Sequence, residues 1–216
     1  MKILGIDEAG RGPCIGPLVM CGYLVDEKDT PRLRSIGVKD SKMLSPAKRE
    51  SLMPQLKKIA ADYVILSVSA DQIDHLRTPT NLNKLEIERM QQLINILAPD
   101  KVIVDALEAN EKRFLKKLSA GIKVETEIIA ENFADKNYFE VGAASIIAKV
   151  HRDGEVKNLH KTYGNFGSGY PSDPKTVDFL KECIKNRVMP DIIRKSWMTV
   201  QILRQEAEQV KINRFV

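Results

Sequence analysis

The chain opens Ile3-Leu4-Gly5-Ile6-Asp7-Glu8-Ala9-Gly10-Arg11-Gly12-Pro13, an apolar run closed by two adjacent carboxylates and then by an arginine between glycines. The apolar half predicts a short buried strand, because it is β-compatible and is stopped by glycines and a proline. Neighbours on a strand point to opposite faces, so Asp7 and Glu8 both reach solvent only where the strand ends. A buried carboxylate is costly without a partner. Carboxylates at a strand end that face a glycine loop therefore suggest a cation site, with Arg11 holding an anion beside it. A strand ending in an ordinary polar turn leaves the same local pattern, so the rest of the chain has to decide.

Working outward, Gly16–Val25 predicts a second strand, and its short connection to the first predicts an antiparallel hairpin. Ser45 caps a helix that opens with Pro46 and runs to about Ala61, with Pro54 expected to kink or divide it. Tyr63–Val68 is a third strand. Asn81 caps a helix whose Leu82, Leu85, Met90, Leu93 and Leu97 recur at helical spacing until Pro99. Lys101–Asp105 is a fourth strand, again finishing in an aspartate. A helix from about Glu111 to Leu118 stops near Gly121, and Val124–Ile129 gives a fifth strand. Val141–Lys149, rich in small residues, reads as a closely packed helix. The loop Gly164–Pro171 follows, then a helix capped by Ser172 with Pro174 in its first turn, and helical character continues past Trp197 to about Gln209. The order describes an α/β sheet with a helical C-terminal part.

With 216 residues, 43% of them hydrophobic and 29% charged, the chain fits one ordinary globular domain or a domain with an appendage. Its 34 Lys and Arg against 29 Asp and Glu give a net charge of +5, which mildly favours a polyanionic partner. Cys14, Cys21 and Cys183 show no CxxC spacing and read as reduced buried thiols, while His75, His151 and His160 are scattered, which argues against zinc. No apolar run has transmembrane length and the N-terminus leads straight into a strand, so a cytoplasmic protein without a membrane partner is expected. A dinucleotide-binding reading of Gly10, Gly12 and Gly16 fails on spacing, and the carboxylates before the loop would repel a pyrophosphate.

Asp7 and Glu8 on the first strand and Asp105 on the fourth share one sheet edge if those strands are adjacent and parallel. Asp135 follows the fifth strand at the approach to the small-residue helix. Two unit charges about 4 Å apart repel by roughly 4 kcal/mol at an effective dielectric of 20. A converging set of this kind calls for hard divalent cations, Mg2+ or Mn2+, whose pairing would activate a water for phosphodiester cleavage. Any one of these carboxylates considered singly reads better as a surface ion-pair partner; only the set points to metal.

Four stretches carry a resemblance: Asp7-Glu8-Ala9-Gly10-Arg11-Gly12, Lys39-Asp40-Ser41-Lys42-Met43-Leu44-Ser45, Ala143-Ala144-Ser145-Ile146-Ile147-Ala148-Lys149-Val150, and Gly167-Ser168-Gly169-Tyr170-Pro171-Ser172-Asp173-Pro174. Together, in this order, they resemble the ribonuclease HII family, or type 2 ribonuclease H, most closely its archaeal branch. The resemblance implies a ribonuclease H-like fold with a mixed five-stranded sheet in the order 3-2-1-4-5. It divides the chain into a catalytic core over 1–160, a helical region over 161–208 and a tail over 209–216. It implies endonucleolytic cleavage of RNA in RNA–DNA hybrids and on the 5′ side of ribonucleotides embedded in duplex DNA, leaving 3′-hydroxyl and 5′-phosphate ends. Asp7, Glu8, Asp105 and Asp135 match the family's carboxylates for a two-metal site, and the protein is expected to act as a monomer.

By the same matching, Gly10, Arg11 and Gly12 resemble the loop whose backbone approaches the 2′-hydroxyl, the group that separates RNA from DNA. Tyr170 matches a tyrosine that stacks on the sugar beside the junction, against the plainer reading of a buried core tyrosine. Lys39, Lys42, Ser145 and Lys149 look like phosphate contacts, although a lone lysine reads equally as a solvated surface residue. The chain departs from the family at Glu131-Asn132-Phe133-Ala134-Asp135, where a His and a Lys usually precede the aspartate. In the tail, Gln209, Ile212 and Phe215 follow the spacing by which replication and repair enzymes bind the sliding clamp; a helix end folded back on the protein has the same pattern. Two rival readings stay open: another nuclease of the same fold class, and a non-catalytic hybrid-binding protein tethered to the clamp.

Overall fold

The computed structural model describes residues 1–38, 43–77 and 81–212. The chain runs β1 (Lys2–Ala9), β2 (Leu18–Asp26), α1 (Thr30–Ser35), α2 (Pro46–Ile59), β3 (Asp62–Val68), α3 (Ala70–Arg77), α4 (Leu82–Leu97), β4 (Lys101–Asp105), α5 (Glu111–Ser119), β5 (Glu127–Glu131), α6 (Ala134–Asn137), α7 (Phe139–Tyr163), α8 (Pro174–Asn186) and α9 (Met198–Ile212). The strands form one sheet in the order β3-β2-β1-β4-β5. β1 and β2 pair antiparallel from Lys2 opposite Asp26 to Ala9 opposite Val19. β4 lies parallel to β1, with Ile6 opposite Val104, and β5 lies parallel to β4, with Asp105 opposite Glu131. The mixed sheet and its strand order agree with the resemblance.

Alternation along the strands builds two cores. Leu4, Ile6, Met20, Leu24, Val102 and Val104 pack on α4 and α5 through Met90, Leu93, Ile94, Phe114 and Leu118. On the other face Val19, Cys21, Tyr23 and Val25 meet Leu52 and Leu56 of α2 and the small residues Ala143, Ala144 and Ala148 of α7. The closeness of α7 has a visible cause at Gly5, where a Cβ would lie 2.2 Å from the Glu140 carbonyl carbon. Only glycine lets that helix backbone rest on β1. Ser45 caps α2 by accepting from the Lys48 amide and Asn81 caps α4 by accepting from the Lys84 amide, as their sequence patterns require. Pro54 is held inside one continuous α2.

Several boundaries differ from the pattern-based expectation. β5 starts at Glu127 rather than Val124, because its extent is set by pairing with β4, which begins at Lys101 opposite Glu127. The cap of α8 is Asp173, whose carboxylate accepts from the Lys175 amide at 3.0 Å and from the Ser168 amide at 2.7 Å. α8 then stops at Asn186, where Arg187 turns left-handed at φ 58° and the Val188 amide bonds the Cys183 carbonyl. Continuous helix to Gln209 is therefore replaced by α8, an irregular stretch and α9. α7 extends far beyond Lys149, and α3 was not legible as a helix.

The chain divides into two compact units that interleave in sequence. One comprises Met1–Ala9, Val19–Ser67 and Asn81–His151; the other comprises Gly10–Leu18, Val68–Thr80 and Arg152–Val216. The second unit has its own core of Cys14, Ile15, Val156, Phe166, Leu180, Ile193 and Val200. Among the described residues no helix is long and apolar enough to cross a membrane.

Candidate active site

In the first unit, period-two alternation puts Gly5, Asp7 and Ala9 on the sheet face covered by α7, where Ala9 packs with Ala143 and Ala144. Ile103 of β4 packs with Ile3 on that face, so Asp105, two residues on, falls there as well. Glu8 takes the opposite face, in register with Met20, and is half-buried. Asp135 arrives from the turn after β5. Asp105 anchors that turn, since its Oδ1 accepts from the Phe133 amide at 2.7 Å and the Ala134 amide at 3.4 Å. Asp7 and Asp135 are both buried, 7% and 5% exposed.

Burial pushes the Asp7 carboxyl above its ordinary range. The Lys149 charge, a hydrogen bond from Ser145 and the Glu8 amide pull it back, and the Asp135 charge raises it again. The resemblance matches Ser145 and Lys149 to phosphate contacts; in the structure Ser145 hydrogen-bonds Asp7 and the Lys149 charge acts on it. Lys149 Nζ donates to Ser145 Oγ at 2.7 Å, and Ser145 is fully buried. One turn of α7 thus carries a cation through a hydroxyl to the buried carboxylate. Among the described residues no three His, Cys, Asp or Glu side chains are grouped closely enough to grip an ion as they stand.

In the second unit the loop after β1 is held by side-chain donors to its backbone carbonyls. Arg194, fully buried, donates from Nη2 to the Gly10 carbonyl at 2.6 Å, from Nη1 to Arg11 at 3.2 Å and from Nε to Gly16 at 3.0 Å. Its own amide bonds the Cys14 carbonyl at 2.8 Å, and Ile15 bridges Ile193. Trp197 stacks on the guanidinium at 4.7 Å and donates from Nε1 to the Gly12 carbonyl at 3.2 Å. Asp74 of α3 fixes the adjoining segment, accepting from the Lys195 amide at 2.6 Å and the Ser196 amide at 3.0 Å. Burial, and next the nearby Arg152 charge, depress the Arg194 guanidinium to about 10, which leaves it charged at neutral pH. With the Gly10–Arg11 and Arg11–Gly12 peptides trans, carbonyls drawn toward Arg194 turn the amides of Arg11 and Gly12 the other way.

The two loop glycines differ. Gly10 has φ 90°, and a Cβ there would sit 2.4 Å from the Pro17 carbonyl. Gly12 has no positive φ, and its Cβ would make only ordinary contact, 3.5 Å from the Tyr170 ring. The fold demands the first glycine and tolerates a methyl group at the second. Tyr170 is 38% exposed rather than buried in a core. Its ring lies 5.2 Å from the Arg152 guanidinium, which donates to the Ser168 carbonyl at 3.0 Å. The preceding Gly169 carbonyl accepts from Cys14 and Ile15, which ties the tyrosine to the glycine loop.

Pattern reasoning missed Arg194, Trp197, Asp74 and Arg152. Arg194 follows Ile192-Ile193 and reads locally as more helix; its acceptors lie 178 to 184 residues away, beyond any periodicity. Lys39, Lys42 and Phe215 lie outside the described residues. Gln209 is an exposed residue of α9, and Ile212 ends that helix.

A family model described as Ribonuclease HII matches residues 4–200. Ribonuclease HII of Pyrococcus furiosus is 47% identical over 214 residues, covering 98% of this chain and 95% of its own. The crystal structure of ribonuclease H2 from Pyrococcus horikoshii superposes with a TM-score of 0.90 at 45% identity, over 97% of this chain and all of that one. The ribonuclease HII in a complex with PCNA from Archaeoglobus fulgidus gives a TM-score of 0.85 at 38% identity, covering 91% of this chain and 95% of that one.

Proposed function

Since this chain belongs to the ribonuclease HII family and is a ribonuclease H enzyme, we propose that it hydrolyses the RNA strand of RNA–DNA hybrids and cuts 5′ of ribonucleotides embedded in duplex DNA. The observation that supports the cutting chemistry is that Asp7 and Asp105 fall on the same face of adjacent parallel strands, with Asp135 near enough to act on the Asp7 carboxyl. The donors are all carboxylate oxygens, the hard set that Mg2+ or Mn2+ takes. Magnesium is commonly held by one or two carboxylates together with substrate phosphates, so a face of aspartates without a closed cage fits it. Asp7, Asp105 and Asp135 would hold the ions; Glu8, which the resemblance matches to the same set, lies on the opposite face of β1. When bound, such ions supply an activated water and charge stabilisation on the leaving oxygen.

The chain's own residues do the rest. Ser145 and Lys149 orient Asp7 and keep it from facing Asp135 without counter-charge. Attack of water on phosphorus breaks the bond to the 3′-oxygen, leaving a 3′-hydroxyl upstream and a 5′-phosphate on the ribonucleotide. In the second unit, the loop amides turned away from Arg194, the bare Cα of Gly12 and the half-exposed Tyr170 ring suit recognition of a 2′-hydroxyl and its sugar. Arg194 and Trp197 act as positioning residues that fix this loop before substrate arrives. Gln209, Ile212 and Phe215 are proposed to engage a sliding clamp, a reading supported by the PCNA complex of the Archaeoglobus fulgidus relative.

The test is an end-labelled DNA duplex carrying one ribonucleotide, incubated with Mg2+ and with Mn2+. A single cut 5′ to the ribonucleotide with a 3′-hydroxyl end is expected from the wild type and is lost in Asp7→Asn. Binding without any cut would leave a hybrid-binding protein, and cutting of an all-DNA duplex would favour a nuclease of other specificity.

A further inference from the structure

Phe133 stands in the turn between β5 and α6 with φ 63° and ψ 35°, a left-handed conformation that an aromatic residue adopts only under constraint. The ring is 61% exposed and belongs to none of the hydrophobic clusters, although its neighbours Ala134 and Tyr138 do. Packing within the fold therefore does not account for an aromatic side chain there. What constrains the backbone is visible: the Phe133 amide donates to Asp105 Oδ1 at 2.7 Å, and two residues later the chain delivers Asp135. Lys136, also exposed, places its Nζ 5.0 Å from the Phe133 ring centroid. An exposed ring with a cation beside it is thus rooted directly on a carboxylate of the candidate site.

We infer that Phe133 is a stacking platform for a base or sugar of the bound nucleic-acid strand, with Lys136 meeting the adjacent phosphate. This rests on the nuclease reading above and adds to it a contact on the carboxylate unit itself. Every base has a π-face, so such a platform contributes affinity without reading sequence. Its fixed root beside Asp105 keeps the stacked residue from sliding relative to the carboxylates. The effect is expected on binding of the strand rather than on the chemical step.

The experiment is single-turnover cleavage of the one-ribonucleotide duplex with enzyme concentration varied, for the wild type, Phe133→Ala and Phe133→Trp. Loss of one stacked base predicts about a tenfold rise in the half-saturating concentration for Phe133→Ala, with the maximal rate within about twofold. Phe133→Trp restores saturation, and its indole emission, taken relative to the wild type, is quenched as duplex is added. Thermal melting of Phe133→Ala stays at the wild-type value, since the ring covers no core. Half-saturation unchanged in Phe133→Ala, or equally poor in the alanine and tryptophan variants, overturns the platform while the wild-type cut keeps the nuclease reading intact. A wild type that neither binds nor cuts the duplex overturns both.

Discussion

In the sheet unit the functional groups crowd like charges: Asp7 lies buried near Asp135, its carboxyl raised, with the Lys149–Ser145 pair as opposing influence. In the second unit a fully buried cation, Arg194, meets backbone carbonyls of Gly10, Arg11 and Gly16, and Trp197 takes that of Gly12. The first region holds a buried carboxyl whose ionisation burial and a neighbouring carboxylate oppose; the second holds a buried cation met by backbone carbonyls. On the proposed function, that difference separates chemistry from recognition. A cutting site gains from charge that only ligand can balance, whereas a loop that must measure one hydroxyl gains from being rigid beforehand.

The contrast breaks most severely at Asp7. Asp7→Asn is expected to lower cleavage roughly a thousandfold, because several kcal/mol of charge stabilisation depends on the carboxylates. Melting temperature should hold or rise, since a buried acid whose range is raised costs stability when it ionises. The sign follows: a raised carboxyl favours the folded protein below its ordinary range and loses that contribution as pH rises through the shifted value. An Asp7→Asn melt that falls well below the wild type would contradict this.

Next in size is Arg194. Arg194→Met leaves the Gly10, Arg11 and Gly16 carbonyls without their donor, and each buried unpaired group costs about 1–3 kcal/mol. Urea unfolding should show a loss of about 3 kcal/mol or more, which Arg194→Lys recovers only in part because one ammonium cannot span three acceptors. Equal stability of the methionine variant would mean that the loop does not depend on this clamp.

The two glycines sharpen the comparison further. Gly10→Ala, strained at φ 90° and blocked by the Pro17 carbonyl, is expected to cost about 3 kcal/mol in unfolding free energy. Gly12→Ala is expected within about 1 kcal/mol of the wild type, because its added methyl group meets only the Tyr170 ring at ordinary distance.

The smallest effect belongs to Asp173, whose carboxyl is held below its usual range by the Ser168 and Lys175 amides. A depressed acid stabilises the fold above its ordinary range and loses that contribution as pH falls through the shifted value. Asp173→Asn should flatten the acid limb of a stability–pH curve, lying slightly below the wild type at neutral pH and meeting it in acid.

How far the sequence could be read follows from the range of the forces involved. β1, β2, β3 and β4 are legible because alternation and flanking glycines act within a few residues, and the carboxylates at Asp7 and Asp105 inherit their positions from those strands. Asp135 is legible only as a residue after β5; that Asp105 draws the intervening turn toward itself is a tertiary fact. The start of β5 is decided by its partner strand, and the end of α8 by a left-handed Arg187 that no local pattern announces. The interleaving of Gly10–Leu18 with the C-terminal helices is fixed by Arg194, whose partners are a chain length away. Ser145 was legible as a residue on the Lys149 face of a helix, but its hydrogen bond to Asp7 needed the helix to be laid over Gly5.

The most direct measurement compares Asp7→Asn and Gly12→Ala on two substrates, a duplex with one ribonucleotide and a continuous RNA–DNA hybrid, under the same metal. If the carboxylates cut and the loop reads, Asp7→Asn loses both activities in equal proportion. Gly12→Ala then loses single-ribonucleotide cutting about tenfold more than hybrid cutting, one tenfold step being about 1.4 kcal/mol of discrimination. A Gly12→Ala enzyme that keeps the wild-type ratio between the two substrates, or an Asp7→Asn enzyme that changes it, would contradict the division of labour proposed here.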